Sequence, residues 1–264
     1  MAGTPHTSVW LAKKGEGKAP RRKAEPGGEG LDRDRIVSTT VRLLDADGLA
    51  KFSMRRLAAE LGVTAMSVYW YVDNKDELLE LALDRASGDM RTPDPSDESA
   101  DWRDQVRELA TEYRKMLVAH PWVAQLVGKY LNIGPQSMAF ADAALKVVQR
   151  IGVSQDGTTG VLNVVFQFVY GFSTIEVLFK ERCRAAGITE DEYFTQVMGV
   201  VASQPDFAET HREAAEIMEA RMTKSVAEQR QQDFAYALEM MIAGMEVMRD
   251  RWRAGEVAGA PPHA

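Results

Sequence analysis

Apolar and polar side chains follow a helical rhythm with two breaks along residues 53 to 81, SMRRLAAELGVTAMSVYWYVDNKDELLEL. Met54, Leu57, Ala58 and Leu61 recur at the three- and four-residue steps of one helical face. Ser53 stands just before them, where its hydroxyl can accept a bond from an orphan N–H of the first turn. Gly62 follows the last apolar position, where glycine enters the left-handed conformation at little cost and a helix stops. Beyond it Val63 turns inward and Val68 faces the first helix, which leaves Thr64, Ala65, Met66, Ser67 and Tyr69 on the outer face of a short second helix. Asn74, with Glu77 three residues on, opens a third helix in a variant of the capping box. Elements in this order make a helix-turn-helix.

From 101 to 253 the helical period continues with no alternating strand pattern. It predicts helices over 102–119, 122–131, 136–151, 158–184, 191–203, 207–220 and 226–252, and hence an all-α fold. Pro93, Pro95, Ser96 and Ser99 among acidic residues give 91–100 the composition of a linker. Residues 1–30, rich in Gly, Pro, Lys and Arg with few apolar side chains, are expected to be a disordered tail. Lys13, Lys14, Lys18, Arg21, Arg22 and Lys23 make that tail basic, suited either to lie along phosphates or to stay solvated. The expected organisation is therefore tail, helix-turn-helix domain (31–90), linker, larger helical domain (101–254) and flexible C-terminus (255–264).

With 36–44 as a preceding helix, the stretch 32–81 resembles the DNA-binding domain of the TetR family of bacterial transcriptional regulators. Arg55, Leu57, Ala58, Leu61, Gly62, Val63, Tyr69, Trp70, Asn74, Lys75 and the Leu78-Leu79 pair carry the resemblance. Tyr71 and Asp73 depart from the family pattern, which often has His at the first position and Pro or Lys at the second, and this bears on base preference. Resemblance and residue chemistry together nominate Arg55 for a guanine or a phosphate, Ala65 and Met66 for thymine methyls, and Thr64, Ser67 and Tyr71 for base edges or backbone. Tyr69 and Lys75 are expected to grip phosphates, the latter because its charge at a helix N-terminus calls for an anion. Trp70 is read as a packing residue.

The second domain is similar, through Trp102, His120-Pro121-Trp122, Gly134-Pro135, Tyr170-Gly171, Asp206-Phe207 and 234–244, to the tetracycline-repressor-like ligand-binding and dimerisation domain. That resemblance implies a two-fold homodimer with one effector cavity per subunit, bound to double-stranded operator DNA and released by a small molecule. Phe234, Leu238, Met241, Met245, Met248 and Trp252 form one heptad seam, which either packs on the chain's own helices or, as the family implies, meets a partner. In such dimers the 226–252 and 158–184 helices build a four-helix interface. Asn163, Gln167, Tyr170 and Thr174 share a face among apolar neighbours, so they must meet water, another polar element or a ligand. Part of this stripe is a candidate effector pocket, with Trp122, Phe166 and Tyr170 as apolar walls.

Charge refines this picture. The net charge of −7 divides into +4 over residues 1–70, from 12 Lys/Arg against 8 Asp/Glu, and −11 over the rest, from 20 against 31. Basic charge gathers where DNA would lie. No nucleophile–base pair, phosphate loop or metal-ligand spacing is evident, so neither an enzyme, nor a cofactor, nor a metal is expected. His120, before Pro121, is expected to end its helix, and the lone Cys183 suits a reducing compartment. No apolar run reaches the eighteen or so residues of a membrane span, and 1–30 lacks a signal peptide's apolar centre, so the cytoplasm is the expected location. A helical adaptor of the same fold that binds a protein, and an effector-dependent activator, are the alternatives to a repressor.

Overall fold

The computed structural model describes residues 8–11, 30–94, 96–97, 99–204, 212–221 and 223–255. These residues are helical, without a β-strand among them, and form two compact units, Met1–Val147 and Val148–Ala264.

The first unit begins with α1 (Arg33–Asp47), α2 (Met54–Leu61), α3 (Ala65–Val68) and α4 (Lys75–Ser87). Each start is fixed by a side chain: Asp32, Ser53, Thr64 and Asn74 accept from Arg35, Arg56, Ser67 and Glu77 N–H respectively. Gly62 ends α2 in the left-handed region at φ 70°. Ile36, Leu44, Leu57, Val68, Val72 and Leu78 make the core. The cap at α4 differs from a capping box, since Glu77 Oε2 accepts from Asp73 N–H at 2.6 Å rather than from Asn74.

α4 carries a carboxylate on each of three successive turns, and a different element satisfies each. Tyr130 Oη donates to Asp76 at 2.6 Å. Ser8 Oγ donates to Glu80 Oε2 at 2.6 Å, joined by Val9 N–H at 3.2 Å. Asp84 Oδ1 accepts from Gln136 and Ser137 N–H at 3.0 and 2.9 Å, at the start of α6 (Pro135–Gln149). A Cβ on Gly134 would lie 2.2 Å from that oxygen, so only glycine permits the approach. Pro135 suits the first helical turn, where its missing N–H is no loss.

The expected disordered tail needs correction at one point. Residues 8–11 form a turn, closed by Leu11 N–H on Ser8 O at 3.0 Å, with Ser8 buried against α4. Glu80 explains the docking, because a carboxylate buried this deeply needs donors and the turn supplies two. The rest of the tail, 1–7 and 12–29 with its lysines and arginines, lies outside the described residues, as do 256–264 of the C-terminus. α5 (Trp102–Ala119) ends at His120 as expected. The helix expected over 122–131 is instead a single 3-10 turn, Val123–Gln125, because Gly128 at φ 85° and Asn132 at φ 50° leave the helical region.

The second unit holds α7 (Gln155–Ala186), α8 (Glu190–Ala202), α9 (Arg212–Arg221) and α10 (Val226–Arg253). The first part of the helix expected over 207–220 is outside the described residues. Phe234 of α10 stacks on Phe168 of α7 at 5.3 Å and meets Phe172 edge-on at 5.2 Å. Arg230, nearly buried, bonds Glu190 at 2.5 Å and lies 3.7 Å from Glu176. α7 overturns the expectation about apolar runs. An eighteen-residue window of it has a mean hydropathy of 1.5, long and apolar enough for a membrane span, with only 17% of that window buried. Asn163, Gln167 and Thr174 interrupt the run in sequence without lowering its average below that of a span.

Candidate functional site

The outer face of α2, α3 and the turn after it gathers the side chains nominated for DNA. α3 ends at Val68, and Tyr69, Trp70 and Tyr71 then fan outward while Val68 and Val72, one turn apart, hold the inside. Met66 is 68% exposed, Tyr69 and Tyr71 each 40%, and Trp70 62%. Trp70 is thus a surface residue, not the packing residue expected. Its indole is held out because the chain leaves the helix just before it, a boundary that apolar spacing alone does not reveal.

Cations around this face fall into two groups. Arg33 bonds Glu77 at 2.5 Å, Arg42 bonds Glu60 at 2.8 Å, and Arg56 pairs with Asp47. Among the described residues, Arg55 and Lys51 are exposed and carry no ion pair, which leaves their charge available. Lys51, in the loop before α2, was not nominated from the sequence; it lacks a motif and is recognised only by its place beside the N-terminus of α2. Lys75 is half-buried, with Nζ donating to Phe52 O at 3.1 Å and lying 5.4 Å from the centre of the Phe52 ring. One of its three N–H groups therefore anchors the α1–α2 loop. Thr64 and Ser67 hydroxyls are 2.9 Å apart, so the cap of α3 engages both.

The residues nominated for an effector pocket do not all come together. Trp122 belongs to the first unit, fully buried, with Nε1 donating to Asp45 Oδ1 at 2.7 Å. Asn163 and Gln167 on α7 are exposed, Phe166 and Tyr170 half-buried, and Thr174 Oγ donates back to Tyr170 O at 2.7 Å. The described residues of the second unit line cavities at two places along α7. One, of about 380 Å³, is an almost wholly apolar groove between α7 and α10, lined by Val161, Val164, Met241, Met245, Met248 and Trp252. The other, of about 340 Å³, is lined by Phe172, Phe179, Phe194, Glu176 and Arg230. Asn163, Phe166, Gln167, Tyr170 and Thr174 line neither.

The heptad seam on α10 faces inward for most of its length. Phe234, Leu238 and Met245 are buried within the single chain, Met241 is half-buried and Met248 46% exposed. The apolar residues turned out are others: Tyr236 at 72%, Met240 at 62% and Val247 at 55% on α10, with Val164 at 54%, Ile175 at 71% and Leu178 at 60% on α7. The reason is that 3.6 residues per turn offer α10 two apolar stripes, and the wider aromatic one packs on Phe168 and Phe172. Among the described residues no group of His, Cys, Asp and Glu is arranged to hold a metal.

Comparison with known proteins adds to this geometry. Residues 36–82 match the family model described as bacterial regulatory proteins, tetR family, and residues 94–249, more than half the chain, match the tetracyclin repressor-like C-terminal domain. An HTH-type transcriptional regulator of Saccharopolyspora erythraea is 35% identical over 155 residues, 59% of this chain and 65% of that protein. The HTH-type transcriptional repressor DrrR1 of Streptomyces coeruleorubidus is 32% identical over 178 residues, 67% of this chain and 64% of that protein. The chain thus spans just under two thirds of the length of both. Streptomyces coelicolor ActR, solved in complex with actinorhodin, superposes with a TM-score of 0.67 at 27% identity, over 83% of this chain and 99% of that one.

Proposed function

Because the chain belongs to the TetR family of bacterial regulatory proteins, we propose that it is a sequence-specific DNA-binding regulator: a homodimeric repressor that leaves a palindromic operator when a small organic effector binds. The observation that carries this reading is the outer face of the helix-turn-helix, where Arg55, without an ion pair among the described residues, stands with exposed Met66, Tyr69, Trp70 and Tyr71. Four large apolar side chains on a water-facing surface call for a partner. Base edges and thymine methyls offer hydrogen bonds to the guanidinium and apolar contact to Met66, while phosphates suit Tyr69, Lys51 and Lys75. Thr64, Ala65 and Ser67 are small enough to let the backbone approach the groove.

The dimer is built from the outward stripes. Val164, Gly171, Ile175 and Leu178 on α7 follow steps of 7, 4 and 3, and Tyr236, Met240, Ala243 and Val247 on α10 follow steps of 4, 3 and 4. Both are heptad seams. A second copy covers them in a four-helix interface and gives α7 a protein neighbour in place of lipid. Two-fold symmetry then sets two recognition faces about 34 Å apart, one turn of duplex. The ActR complex with actinorhodin supports an organic effector here, but Asn163, Phe166, Gln167, Tyr170 and Thr174 line neither cavity described above and are not placed against it. Trp122 is left out, since its ring and N–H are already engaged with the first unit. The assembly acts in the cytoplasm, where the DNA is.

Selection of binding sites from random duplex DNA tests the proposal. Wild-type protein is expected to enrich a palindrome, and Arg55→Ala to lose preference at one base pair of each half-site, a cost of about 1–3 kcal/mol. A properly folded dimer that enriches no sequence, with or without cell extract as an effector source, would sink the operator reading and favour a protein-binding adaptor.

A further inference from the structure

His120 occupies an unusual place at the end of α5. Its ring is buried, with Nδ1 2.7 Å from Asp45 Oδ1 of α1 and Nε2 3.0 Å from Asp89 Oδ2, just past the end of α4. A neutral imidazole has one N–H, so it can donate to one of these carboxylates but must turn a lone pair on the other. Only the imidazolium donates to both. We infer that His120 is a proton-operated latch that ties the ends of α1 and α4 to the end of α5, and that losing its proton releases α4.

The side that opens follows from the surroundings. Asp45 is held a second time by Trp122 Nε1 at 2.7 Å, and its side chain is 31% exposed. Asp89 is 65% exposed and can turn to water. The neutral ring therefore keeps its proton on Nδ1 for Asp45 and loses Asp89. Arg42 of α1 and Arg85 of α4 line the same polar cavity of about 580 Å³, but each is committed elsewhere, to Glu60 at 2.8 Å and Asp34 at 3.5 Å. The two carboxylates are thus the charges that decide the ring's state. Burial by itself works against the charged ring, but the hydrogen bonds from Asp45 and Asp89 and then their charge outweigh it, and the pKa lies above the ordinary histidine value. For a raised histidine the stabilisation is full below the ordinary value and is lost as pH rises through the raised one. The latch is closed below the ordinary histidine value and opens as pH rises through the raised one.

Since α1 and α4 frame the helix-turn-helix, opening frees the DNA-binding element to move. That consequence rests on the regulator reading above, whereas the latch itself does not. The test uses the full-length protein without DNA. The imidazole signals of His120 and the amide exchange of residues 86–90 are followed by NMR from pH 6 to 9.5 in wild type and in Asp89→Asn, a change at an exposed side chain. In wild type, protection at 86–90, corrected for intrinsic exchange, should fall by up to about tenfold per pH unit between the ordinary histidine value and the His120 midpoint and level off above it. In Asp89→Asn the amide can donate to Nε2 while Nδ1–H serves Asp45, so the midpoint should drop and the protection should stay flat. A His120 midpoint at or below the ordinary histidine value, or protection that ignores it, would overturn the latch. Operator affinity measured across the same range then reports separately on the coupling to DNA.

Discussion

α4 and α7 are helices of the same chain with opposite problems. Every residue of α4 from 78 to 84 is buried, including two carboxylates, whereas α7 is buried at six of its 32 positions. A helix enclosed on all sides must find a donor for each polar group, and α4 does: the Ser8 turn for Glu80 and the start of α6 for Asp84. A helix left open must find cover for its apolar side chains, and a single chain leaves Ile175 and Leu178 mostly exposed. The first element is complete as a monomer; the second makes sense as half of something.

The largest effect expected is on the inner stripe. Phe234→Ala removes a ring that is 2% exposed and touches Phe168 and Phe172, and should cost about 3–5 kcal/mol of stability in denaturant unfolding. If Phe234 were instead an interface residue, stability of the monomer would hardly change and only dimerisation would suffer. The outer stripe should behave in the reverse way. Ile175→Glu puts a charge on a side chain 71% exposed in the single chain, so monomer stability should be nearly unchanged while the dimer dissociation constant rises on the order of a hundredfold. Sedimentation at a series of concentrations separates the two results, and an unshifted dimer would show that this face is not the interface.

α4 makes the third test. Gly134→Ala places a methyl against Asp84 Oδ1, and either the carboxylate or the start of α6 must give way. The expected cost is about 1–3 kcal/mol, and Gly134→Ala combined with Asp84→Ala should recover the steric part. Additive losses in this double-mutant cycle would mean that the close approach does not couple the two sites.

How much of this was legible beforehand depends on the range of the forces involved. Caps and breaks are local, so Ser53, Gly62 and Asn74 bounded α2 and α4 from sequence, and the period of 3.6 found α5, α6, α7, α8 and α10 within a few residues. Period also exposed the α10 seam, yet it could not say which of two apolar stripes the chain would use on itself. Choosing Phe234 and Leu238 as inner residues took Phe168 and Phe172, some sixty positions away. Lys75 matched a motif for phosphate contact, but its bond to Phe52 O depends on how a loop of the first turn region folds back. Trp122 illustrates the same limit: an aromatic near apolar residues suggests a pocket wall until Asp45 is brought to its N–H.

Ser8 is the extreme case of a long-range contact hidden by composition. Glycine, proline and charge around it argue for a chain with too little apolar surface to order itself, and that argument is sound as far as the tail's own side chains go. It omits what the rest of the molecule needs. Glu80 lies 72 positions away and 4% exposed, and the Ser8 hydroxyl and Val9 N–H meet it at the same oxygen. The docking thus meets α4's demand for donors, while Val9 and Trp10 of the turn become half-buried. Ser8→Ala should therefore remove about 1 kcal/mol of stability, small beside the other changes, while Val9 N–H keeps part of the contact. Glu80→Gln offers the reciprocal check, because a neutral amide needs the tail less. If Ser8→Ala costs as much in the Glu80→Gln background as in wild type, the two residues are uncoupled and the turn is held by something other than the carboxylate.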